Sequence, residues 1–460
     1  MIVMKFGGTS VEDAVAIKNV TEIVRKEIPR HPVVVVSACA GITNQLLKTA
    51  NLAAEGKRDE ALQMVAAIEG RHKNIVKDLF DADGGRFLYK HIAAFAEELA
   101  ALVNGVVILG ELTPRSLDAF ASFGERMSSF VIHHYFEESQ IRSFLVDARS
   151  FMITDGQYTK ALPRLETIER KLHEIILPKI DNGYVVVTQG FIGSTEAGIT
   201  TTIGRGGSDY SAAIVGSLLN AEDIQIWTDV DGILTSDPSI VSDAKKIKVM
   251  SFNEAAELAY FGARVLHPET ILPAVKKEIP VHVLNSRRPN SGGTLIIANP
   301  KVGKQCIVKS IAYKEGITVI SIVSTRMFLA HGFLESVFDV FHKYETVVHT
   351  VATSEVSISM TIDNVKNLGY ILQELKSFST VSVSDRKAIV CVVGEHLKES
   401  PGVAAKVLHS IADINVNMIS QGASEINISV VIDEEHVDDV VRRLHKEFFS
   451  DVKHLTEIFE

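Results

Sequence analysis

The sequence is poor in the residues that build disulfide frameworks and metal cages. Its 460 residues include only three cysteines and one tryptophan. The cysteines are Cys39, Cys306 and Cys391, which lie far apart and form no Cys-X-X-Cys pair. This spacing excludes a disulfide scaffold and the common zinc motifs. No Ser-His-Asp triad and no metal-ligand set is readable, so we predict no metal site and a reducing, cytoplasmic environment.

Basic stretches and long apolar runs are also missing. The net charge is −10, and no block of five or six basic residues occurs. We therefore expect neither nucleic acid nor an anionic membrane surface as a partner, because both require a basic footprint. No run of eighteen consecutive apolar residues is present, so no membrane span is expected. The chain opens on a strand pattern, which leaves no room for a signal or transit peptide.

What the sequence contains is a globular composition, with 46% hydrophobic and 23% charged residues. Its length exceeds what one core serves, so two to four domains are expected. Short apolar strands alternate with helical stretches up to about residue 290. The predicted strands are Ile2–Phe6, Pro32–Ser37, Arg142–Asp147, Tyr184–Gln189, Ile224–Thr228 and Pro280–Leu284. Runs such as Val33–Val36 are apolar on both faces, which predicts a parallel sheet covered by helices, with ligands at the carboxyl ends of its strands.

Beyond a boundary rich in Pro, Gly and Ser at residues 285–304, the chain contains an internal repeat. Residues 332–363 align without gaps on residues 402–433, at a shift of 70 positions. Each copy follows the pattern helix, strand, turn, strand, and a further helix follows each, over Val365–Phe378 and His436–Phe449. The repeat predicts two small α+β units of the βαββαβ type. Paired units of this kind form effector-binding modules, and their sheet edges often pair between subunits.

The opening segment Lys5–Val11 carries the first chemical signal. An apolar strand leads into a lysine, two adjacent glycines and two hydroxyl residues. Backbone N–H groups at such a turn cradle phosphate oxygens, and a lysine supplies charge for a phosphoryl group in transfer. The lysine precedes its glycines, so the segment is not the common P-loop. The alternative interpretation is an ordinary turn between strand and helix.

A second glycine-rich segment spans residues 200–210, with three glycines around Arg205. Its N–H groups can hold an anion while Arg205 grips a carboxylate. Ser208 or Asp209 is predicted to cap a helix over Tyr210–Leu219. Asp209 can also orient a lysine ammonium group or a magnesium-bound water. A surface loop with a helix cap is the alternative.

Three further positions are candidates for binding. The segment Val36–Thr43 ends a buried strand in small residues and offers Thr43 for a polar contact, unless it is only a strand-to-helix turn. Glu125 lies in a predicted helix over Leu117–Tyr135 and can meet an ammonium group, unless it is a solvated helix charge. Thr228 and Asp229 follow a strand where a nucleotide base or ribose can sit.

Together these motifs resemble the aspartate kinases (aspartokinases) of the amino acid kinase family, over essentially the whole chain. The matching segments are KFGGTSV at 5–11, TTTIGRGGSDYSA at 200–212, WTDVDGI at 227–233, GARVLHP at 262–268 and ATSEVSIS at 352–359. The resemblance implies an α/β fold, an amino acid kinase-like αβα sandwich with a mostly parallel sheet, at residues 1–298. Two ACT-like domains follow at 299–385 and 386–460, with a strand near Ile307–Tyr313 shared with the second.

The implied reaction is the ATP-dependent phosphorylation of the side-chain carboxylate of L-aspartate. The product, 4-phospho-L-aspartate, begins the synthesis of lysine, threonine and methionine. A carboxylate is already a nucleophile, so alignment and charge neutralisation are enough for catalysis. Mg2+ is expected to arrive with ATP, bound mainly through the phosphates.

The resemblance also implies roles for individual residues. Lys5 and Asp209 would be catalytic. The aspartate-binding set would be Ser37, Thr43, Glu125, Arg205, Gly206, Gly207 and Ser208. The nucleotide-binding set would be Lys5, Phe6, Gly7, Gly8, Thr228, Asp229, Leu234, Arg264 and Val265, with the N–H groups of Gly7 and Gly8 in contact with phosphate. Many relatives have lysine where Arg264 stands and tyrosine where Leu234 stands.

The repeats resemble the lysine-sensitive class of aspartokinases, so lysine is the first effector expected. The implied effector-binding residues are Met327, Phe333, Leu334, Val348, His349, Ser354 and Glu355. That class commonly has an aspartate where His349 stands, and a protonated histidine would repel a cationic effector. A homodimer or larger homo-oligomer through the ACT-like domains is expected. The alternatives are another amino acid kinase, acting on glutamate or a nucleoside monophosphate, and an amino-acid sensor without catalysis.

Overall fold

The structure is a computed structural model that describes residues 1–204, 206–261, 268–300, 308–324, 332–422, 424–450 and 458–460. These residues form two compact units. Unit 1 holds residues 1–233, 248–252 and 268–300, and unit 2 holds the rest. Segments 234–247 and 253–261, which the sequence analysis places in the first domain, therefore lie in unit 2.

Unit 1 is built on an eight-stranded sheet in the order β3-β4-β2-β1-β7-β9-β10-β8. Its strands are β1 (Ile2–Phe6), β2 (Pro32–Val36), β3 (Ser143–Val146), β4 (Val185–Gln189), β7 (Asp223–Thr228), β8 (Val249–Ser251), β9 (Val281–Asn285) and β10 (Thr294–Ile297). A separate hairpin comprises β5 (Ile192–Ser194) and β6 (Thr200–Thr202). All neighbours from β3 to β9 pair in parallel, and only β9 and β10 pair antiparallel. The six predicted strands and the mostly parallel sheet are confirmed.

Helices cover both faces of this sheet. They are α1 (Ala14–Glu27), α2 (Ile42–Ala54), α3 (Arg58–Leu79), α4 (Ala82–Leu109), α5 (Pro114–Ala121), α6 (Phe123–Glu138), α7 (Leu165–Ile175), α8 (Leu177–Asp181), α9 (Gly207–Leu218) and α11 (Pro268–Lys276). Helices α1 to α4 and α6 share one core with alternate residues of β1, such as Met4. Helix α9 lies on the other face, where Gly216 packs against Ile224 and Val3. The αβα sandwich is therefore confirmed.

Two helix predictions were wrong in detail. The single helix expected over Leu117–Tyr135 is two helices, α5 and α6, separated at Ser122. The Ser122 hydroxyl donates to the carbonyl of Ala119, a local bond that competes with the helical ladder. Helix α9 begins at Gly207 rather than Tyr210, so Ser208 and Asp209 lie in its first turn and do not cap it.

Helix α4 has the length and hydropathy of a membrane-crossing helix over Asp83–Leu109. Its apolar residues follow a helical stripe, including Leu88, Ile92, Ala96 and Leu99, that is buried in the core of unit 1. Core helices commonly show this combination, so the hydropathy of α4 alone is weak grounds for a membrane span.

Unit 2 contains a six-stranded antiparallel sheet in the order β12-β13-β11-β14-β16-β15. Its strands are β11 (Ser310–Val323), β12 (Val351–Thr353), β13 (Ser357–Ile362), β14 (Thr380–Val393), β15 (Met418–Gln421) and β16 (Asn427–Asp433). Its helices are α10 (Phe252–Tyr260), whose first residue belongs to unit 1, α12 (Phe333–Lys343), α13 (Leu368–Leu375), α14 (Val403–Ser410) and α15 (Val437–Phe449). The predicted repeat is confirmed, since the shift of 70 superimposes the start of α12 on α14 and of β13 on β16.

The two repeats share their central strands. Strands β11 and β14 are 14 residues long and pair along nearly their whole length. The first half of β11 pairs with the part of β14 that also pairs with β16, whereas the second half of β11 pairs with β13 and with the first part of β14. The predicted boundary between residues 385 and 386 thus falls inside one continuous strand.

Candidate active site

The candidate site lies at the carboxyl edge of the parallel sheet in unit 1. Phe6 at the end of β1 is in register with Val36 of β2 and Trp227 of β7, and Val36 is in register with Gln189 of β4. The ladder continues past the strand ends, since the Ser37 N–H donates to the Phe6 carbonyl at 3.1 Å. The segments that follow these strands therefore meet at a common edge, where ligands of α/β sheets bind.

A cleft of about 400 Å³ opens at this edge. Nine predicted site residues line it: Lys5, Gly8, Ser37, Thr43, Glu125, Gly206, Gly207, Ser208 and Asp209. The structure thus brings together the opening segment, the glycine-rich loop, the Val36–Thr43 segment and the charged helix position. Asn44 and Phe191 also line the cleft and were not predicted, because an isolated amide or aromatic residue carries no recognisable spacing.

Lys5 and Asp209 form an ion pair inside the cleft. The Lys5 ammonium lies 2.7 Å from Oδ1 of Asp209, and both side chains are largely buried. The two opposite charges therefore compensate each other within the cleft. The expectation that Asp209 orients a lysine ammonium group or a magnesium-bound water stays a prediction, and the structure places its carboxylate against Lys5.

The two glycines of the opening segment have different tasks. A Cβ atom on Gly8 would lie 2.9 Å from the Ala38 carbonyl oxygen, so only glycine allows this close approach. The N–H of Gly7 donates to the Trp227 carbonyl at 3.0 Å. The expectation that this N–H contacts phosphate is therefore wrong in this conformation, because the sheet already uses the donor.

Two helices direct their N-termini at the cleft. Helix α2 follows Gly41 (φ +80°) and helix α9 follows Gly206 (φ +70°), and glycine favours both conformations. Among the residues that the structure describes, no side chain caps either helix. The N–H groups of a first helical turn have no partner within the helix, and the helix dipole favours negative charge there. The cleft therefore offers two anion-binding ends.

Glu125 lies in the first turn of α6 and is 3% exposed, which contradicts a solvated helix charge. Burial raises the pKa of Glu125 to about 8, although the Ala38 N–H donates to its carboxylate. Its Oε2 atom is buried without a hydrogen-bond partner among the described residues. A buried, under-satisfied carboxyl group that lines a cleft is suited to receive a cation from a ligand.

Arg71, which sequence reasoning missed, holds the wall of the cleft in place. Its guanidinium group donates to the Ala40 carbonyl at 2.6 Å and to the Glu12 carbonyl at 3.3 Å. It thereby ties the segment before α2 to the segment before α1. An arginine within a long amphipathic helix gives no such signal in the sequence.

The expected nucleotide-binding residues that do not line the cleft are scattered over several parts of the structure. The Phe6 side chain is fully buried and stacks on Trp227, which leaves only its backbone for a ligand. The Thr228 hydroxyl donates to the Asp229 carboxylate at 3.2 Å, beyond the end of β7. Leu234 belongs to unit 2, where its carbonyl accepts from the Ser310 hydroxyl. Four predicted residues lie outside the described part of the chain: Arg205, Arg264, Val265 and Met327.

The remaining effector candidates are all in unit 2. Phe333 and Val348 pack against the core of the first repeat, whereas Leu334 and Glu355 are exposed. Ser354 is exposed too, and its hydroxyl lies 2.7 Å from the hydroxyl of Ser357 in the β-turn.

His349 belongs to a polar cluster. Its Nε2 atom lies 3.0 Å from Oδ1 of Asp363, and its Nδ1 atom lies 2.7 Å from the Tyr260 hydroxyl. Lys314 pairs with the same Asp363 carboxylate at 2.7 Å. Burial opposes ionisation of Asp363, but the hydrogen bonds and positive charge of Lys314 and His349 hold its pKa below the usual value. The carboxylate therefore already has two partners from its own chain.

Potential metal ligands meet away from the cleft. His133, His134 and Glu137 place ligand atoms within 4.8 Å of one another. His133 is bonded to Ser143 at 2.8 Å, and the His134 ring stacks with Phe87. Burial, with neighbouring histidines, lowers the pKa of His134 to about 4. Aromatic packing accounts for these positions.

Comparison with known proteins finds related sequences over nearly the whole chain. The model of the amino acid kinase family matches residues 1–285, and an ACT domain model matches residues 390–448. The chain is 35% identical to lysine-sensitive aspartokinase 3 of Escherichia coli K12, over 98% of this chain and 99% of that protein. It is 36% identical to aspartokinase 1, chloroplastic, of Arabidopsis thaliana, over 97% of this chain and 80% of that protein.

Solved structures agree with this. The crystal structure of E. coli aspartokinase III in complex with aspartate and ADP, in the R-state, matches with a TM-score of 0.85 at 35% identity, over 98% of this chain and all of that one. The T-state structure of the same enzyme with lysine and aspartate has a TM-score of 0.80 at 34% identity, over 98% and 99% of the two chains. The chain belongs to the amino acid kinase family, as an aspartokinase with C-terminal ACT domains.

Proposed function

We propose that this chain transfers the γ-phosphoryl group of ATP to the side-chain carboxylate of L-aspartate and that the cleft of unit 1 is where it does so. The observation that carries this proposal is the pairing of two features in one cleft. The Lys5–Asp209 ion pair lies at the uncapped start of α9, and the under-satisfied carboxyl group of Glu125 lies across from it. The relatives named aspartokinase support the choice of substrate.

Each group has a task in this reaction. Glu125 receives the substrate ammonium, and the loop that carries Arg205, Gly206, Gly207 and Ser208 receives a substrate carboxylate. One oxygen of the side-chain carboxylate attacks the γ-phosphorus, the bond to the bridging oxygen breaks, and ADP leaves with that electron pair. No proton is removed from the nucleophile, so no general base is needed. Lys5 neutralises charge on the phosphoryl group in transfer.

Mg2+ fits the chemistry of the cleft as a companion of ATP. It would neutralise phosphate charge, and Mg2+ prefers oxygen ligands and retains waters. Asp209 supplies a carboxylate at the phosphate side of the cleft and can accept a hydrogen bond from such a water. Its main partner in the structure is Lys5.

Kinase turnover tests this proposal directly. ATP and L-aspartate are supplied with hydroxylamine, which traps an acyl phosphate as a coloured hydroxamate. L-Glutamate tests the length of the side chain, and succinate, which lacks the ammonium group, tests the proposed task of Glu125. We expect a strong signal with L-aspartate and less than about a hundredth of it with succinate, from the loss of one buried charge pair. Equal signals from all three acids, or none from L-aspartate, would contradict the proposal.

We further propose that the ACT domains bind an amino acid, with lysine as the first candidate, in a homo-oligomer that contains at least two chains. The E. coli relative is lysine-sensitive by name. In this chain His349 stands where the lysine-sensitive class commonly has an aspartate, and it pairs with Asp363, so we expect a weaker response to a cationic effector. Activity is titrated with lysine, threonine and methionine, and sedimentation is measured alongside. No response to any of the three would refute the regulatory proposal.

A further inference from the structure

Asp118 is a buried carboxylate behind the cleft, with no substrate-facing position of its own. It lies in α5 and is 1% exposed. Its Oδ2 atom accepts from the backbone N–H of Thr202 at 2.9 Å, and its Oδ1 atom accepts from the hydroxyl of Thr202 at 2.6 Å. The backbone N–H of Thr159 donates to both oxygens, at 2.9 and 3.1 Å. One carboxylate therefore holds two separate segments of the chain.

Both segments border the glycine-rich loop. Thr202 ends β6, two residues before Gly204, where the loop begins. Thr159 has a φ of +70°, an unfavourable conformation for a threonine, and the bond to Asp118 stabilises it. A Cβ atom on Gly204 would lie 3.5 Å from the Thr159 carbonyl oxygen. Asp118 thus holds two elements in place: the end of β6 at Thr202, which precedes Gly204, and the turn at Thr159, which packs against Gly204.

The energetics favour a specific task for this carboxylate. Burial raises the pKa of Asp118, and the bonds from Thr202 and Thr159 oppose that rise only in part. Among the described residues this buried carboxylate has three donors and no cation, which is costly relative to an apolar side chain, so its presence calls for a geometric reason. The backbone it supports leads into Gly206 and the first turn of α9, whose Gly207, Ser208 and Asp209 line the cleft.

We propose that Asp118 is a positioning residue for aspartate binding, because through Thr202 and Thr159 it fixes the backbone at Gly204, shortly before α9 begins. The proposal rests on the proposed function of the cleft. In D118N the side-chain amide can no longer accept on both sides, and its NH2 group faces N–H donors. The loop is then displaced, whereas Lys5 and Gly8 keep their places at the end of β1.

Variants of Asp118 and Thr202 can distinguish a role in positioning the substrate site from a role in overall stability. D118N is expected to raise the KM for aspartate about tenfold or more, since a displacement of about 1 Å can cost 10²-fold. The KM for ATP should stay within about twofold and kcat should fall less than the aspartate KM rises. T202S, which keeps the hydroxyl donor, should resemble the wild type, and T202V should show an intermediate rise in the aspartate KM.

D223N is the matched control. Asp223 is also a buried aspartate with bonded partners, Gln225 and His282, but it lies at the first residue of β7, away from the cleft. If the two Asn variants lose similar thermal stability but only D118N raises the aspartate KM, the proposal is supported. If D118N and T202V keep wild-type KM values, or if D223N raises the aspartate KM equally, it is overturned.

Calorimetric titration of aspartate into each variant keeps this test independent of turnover. A wild type without kinase activity would refute the proposed function, and weaker aspartate binding by D118N and T202V would still support the role of Asp118. A wild type that neither turns over nor binds aspartate would overturn both.

Discussion

Because of Glu125, aspartate binding should release protons, and the number released per aspartate bound can be measured. Burial raises the pKa of Glu125 to about 8 from an ordinary value of 4.5. At pH 7 the free enzyme therefore holds this carboxyl group about 90% protonated, from the titration equilibrium. An ammonium group placed beside it favours the ionised form, so the proton should leave as the substrate binds. We expect about 0.9 proton to be released per aspartate bound at pH 7.

Isothermal titration calorimetry measures this release. Aspartate is titrated at pH 7 in phosphate and in a buffer of high ionisation enthalpy, and the difference in observed heat gives the number of protons. The release should fall towards zero at pH 9, where Glu125 is already ionised, and aspartate affinity should rise between pH 7 and 9. E125Q should release no proton and bind aspartate more weakly by about 10²-fold, the cost of one buried charge-assisted bond.

The same shift has a consequence for stability. The folded-state pKa lies above the unfolded value, so the contribution of Glu125 to stability is lost as the pH rises from 4.5 through about 8. The gap between these values amounts to about 5 kcal/mol as an upper estimate. E125Q without substrate should therefore melt at a higher temperature than the wild type at pH 9, and the difference should shrink at pH 5. A wild type that binds aspartate without proton release, together with an E125Q that binds it equally well, would refute this account of Glu125.

Three further predictions follow from particular contacts. Lys5→Ala should lower kcat by about 10²–10³-fold, which is the cost of removing one preorganised electrostatic group. Lys18→Ala is the control, because this exposed lysine is bonded to the Asp78 carbonyl, and its single-turnover rate should be unchanged. Similar rates in both variants would contradict the role of Lys5. Gly8→Ala should destabilise the protein by about 1–3 kcal/mol, because the added Cβ would lie 2.9 Å from the Ala38 carbonyl oxygen. In Gly105→Ala, within α4, the added Cβ meets no atom within 4 Å, so this variant should be more stable by up to about 1 kcal/mol. Thermal melts measure both effects, and equal melting temperatures would be inconsistent with the close approach at Gly8. Lys309→Met should destabilise unit 2 by about 3–5 kcal/mol, because it removes the ammonium group that lies 2.8 Å from the fully buried Glu254 carboxylate. The double variant with Glu254→Met should recover most of that loss in hydrogen-exchange or melting experiments. A Lys309→Met variant as stable as the wild type would show that the pair is not required.

The strands and the repeat could be predicted because each produces a local pattern. Apolar runs such as Val33–Val36 are needed wherever a parallel strand is covered on both faces, and the repeat preserves spacing over residues 332–363. The elements at the cleft were likewise marked by glycines, since close backbone approach at Gly8 excludes other residues. The resemblance implies catalytic roles for Lys5 and Asp209, which stay predictions, and the structure places both residues in one cleft.

The remainder depends on contacts between residues that are distant in the sequence. Sequence alone left Glu125 open between a solvated charge and a ligand, and its burial beneath Ala38 excludes the solvated charge. The Gly7 N–H could not be excluded as a phosphate donor before its bond to Trp227, 220 positions away, was known. Asp118 and Arg71 act on backbone groups of other segments, so no spacing rule identifies them.

The strands that the two repeats share constrain how this polypeptide can be divided. A cut at residue 385 would split β14, which spans Thr380–Val393, so the first fragment would keep β11 with only part of its ladder and the second fragment would lack β11 altogether. Each fragment would then expose unpaired backbone N–H and C=O groups on long strands, which favours aggregation. Neither repeat should therefore fold when expressed by itself, whereas the two fragments produced together should reassociate.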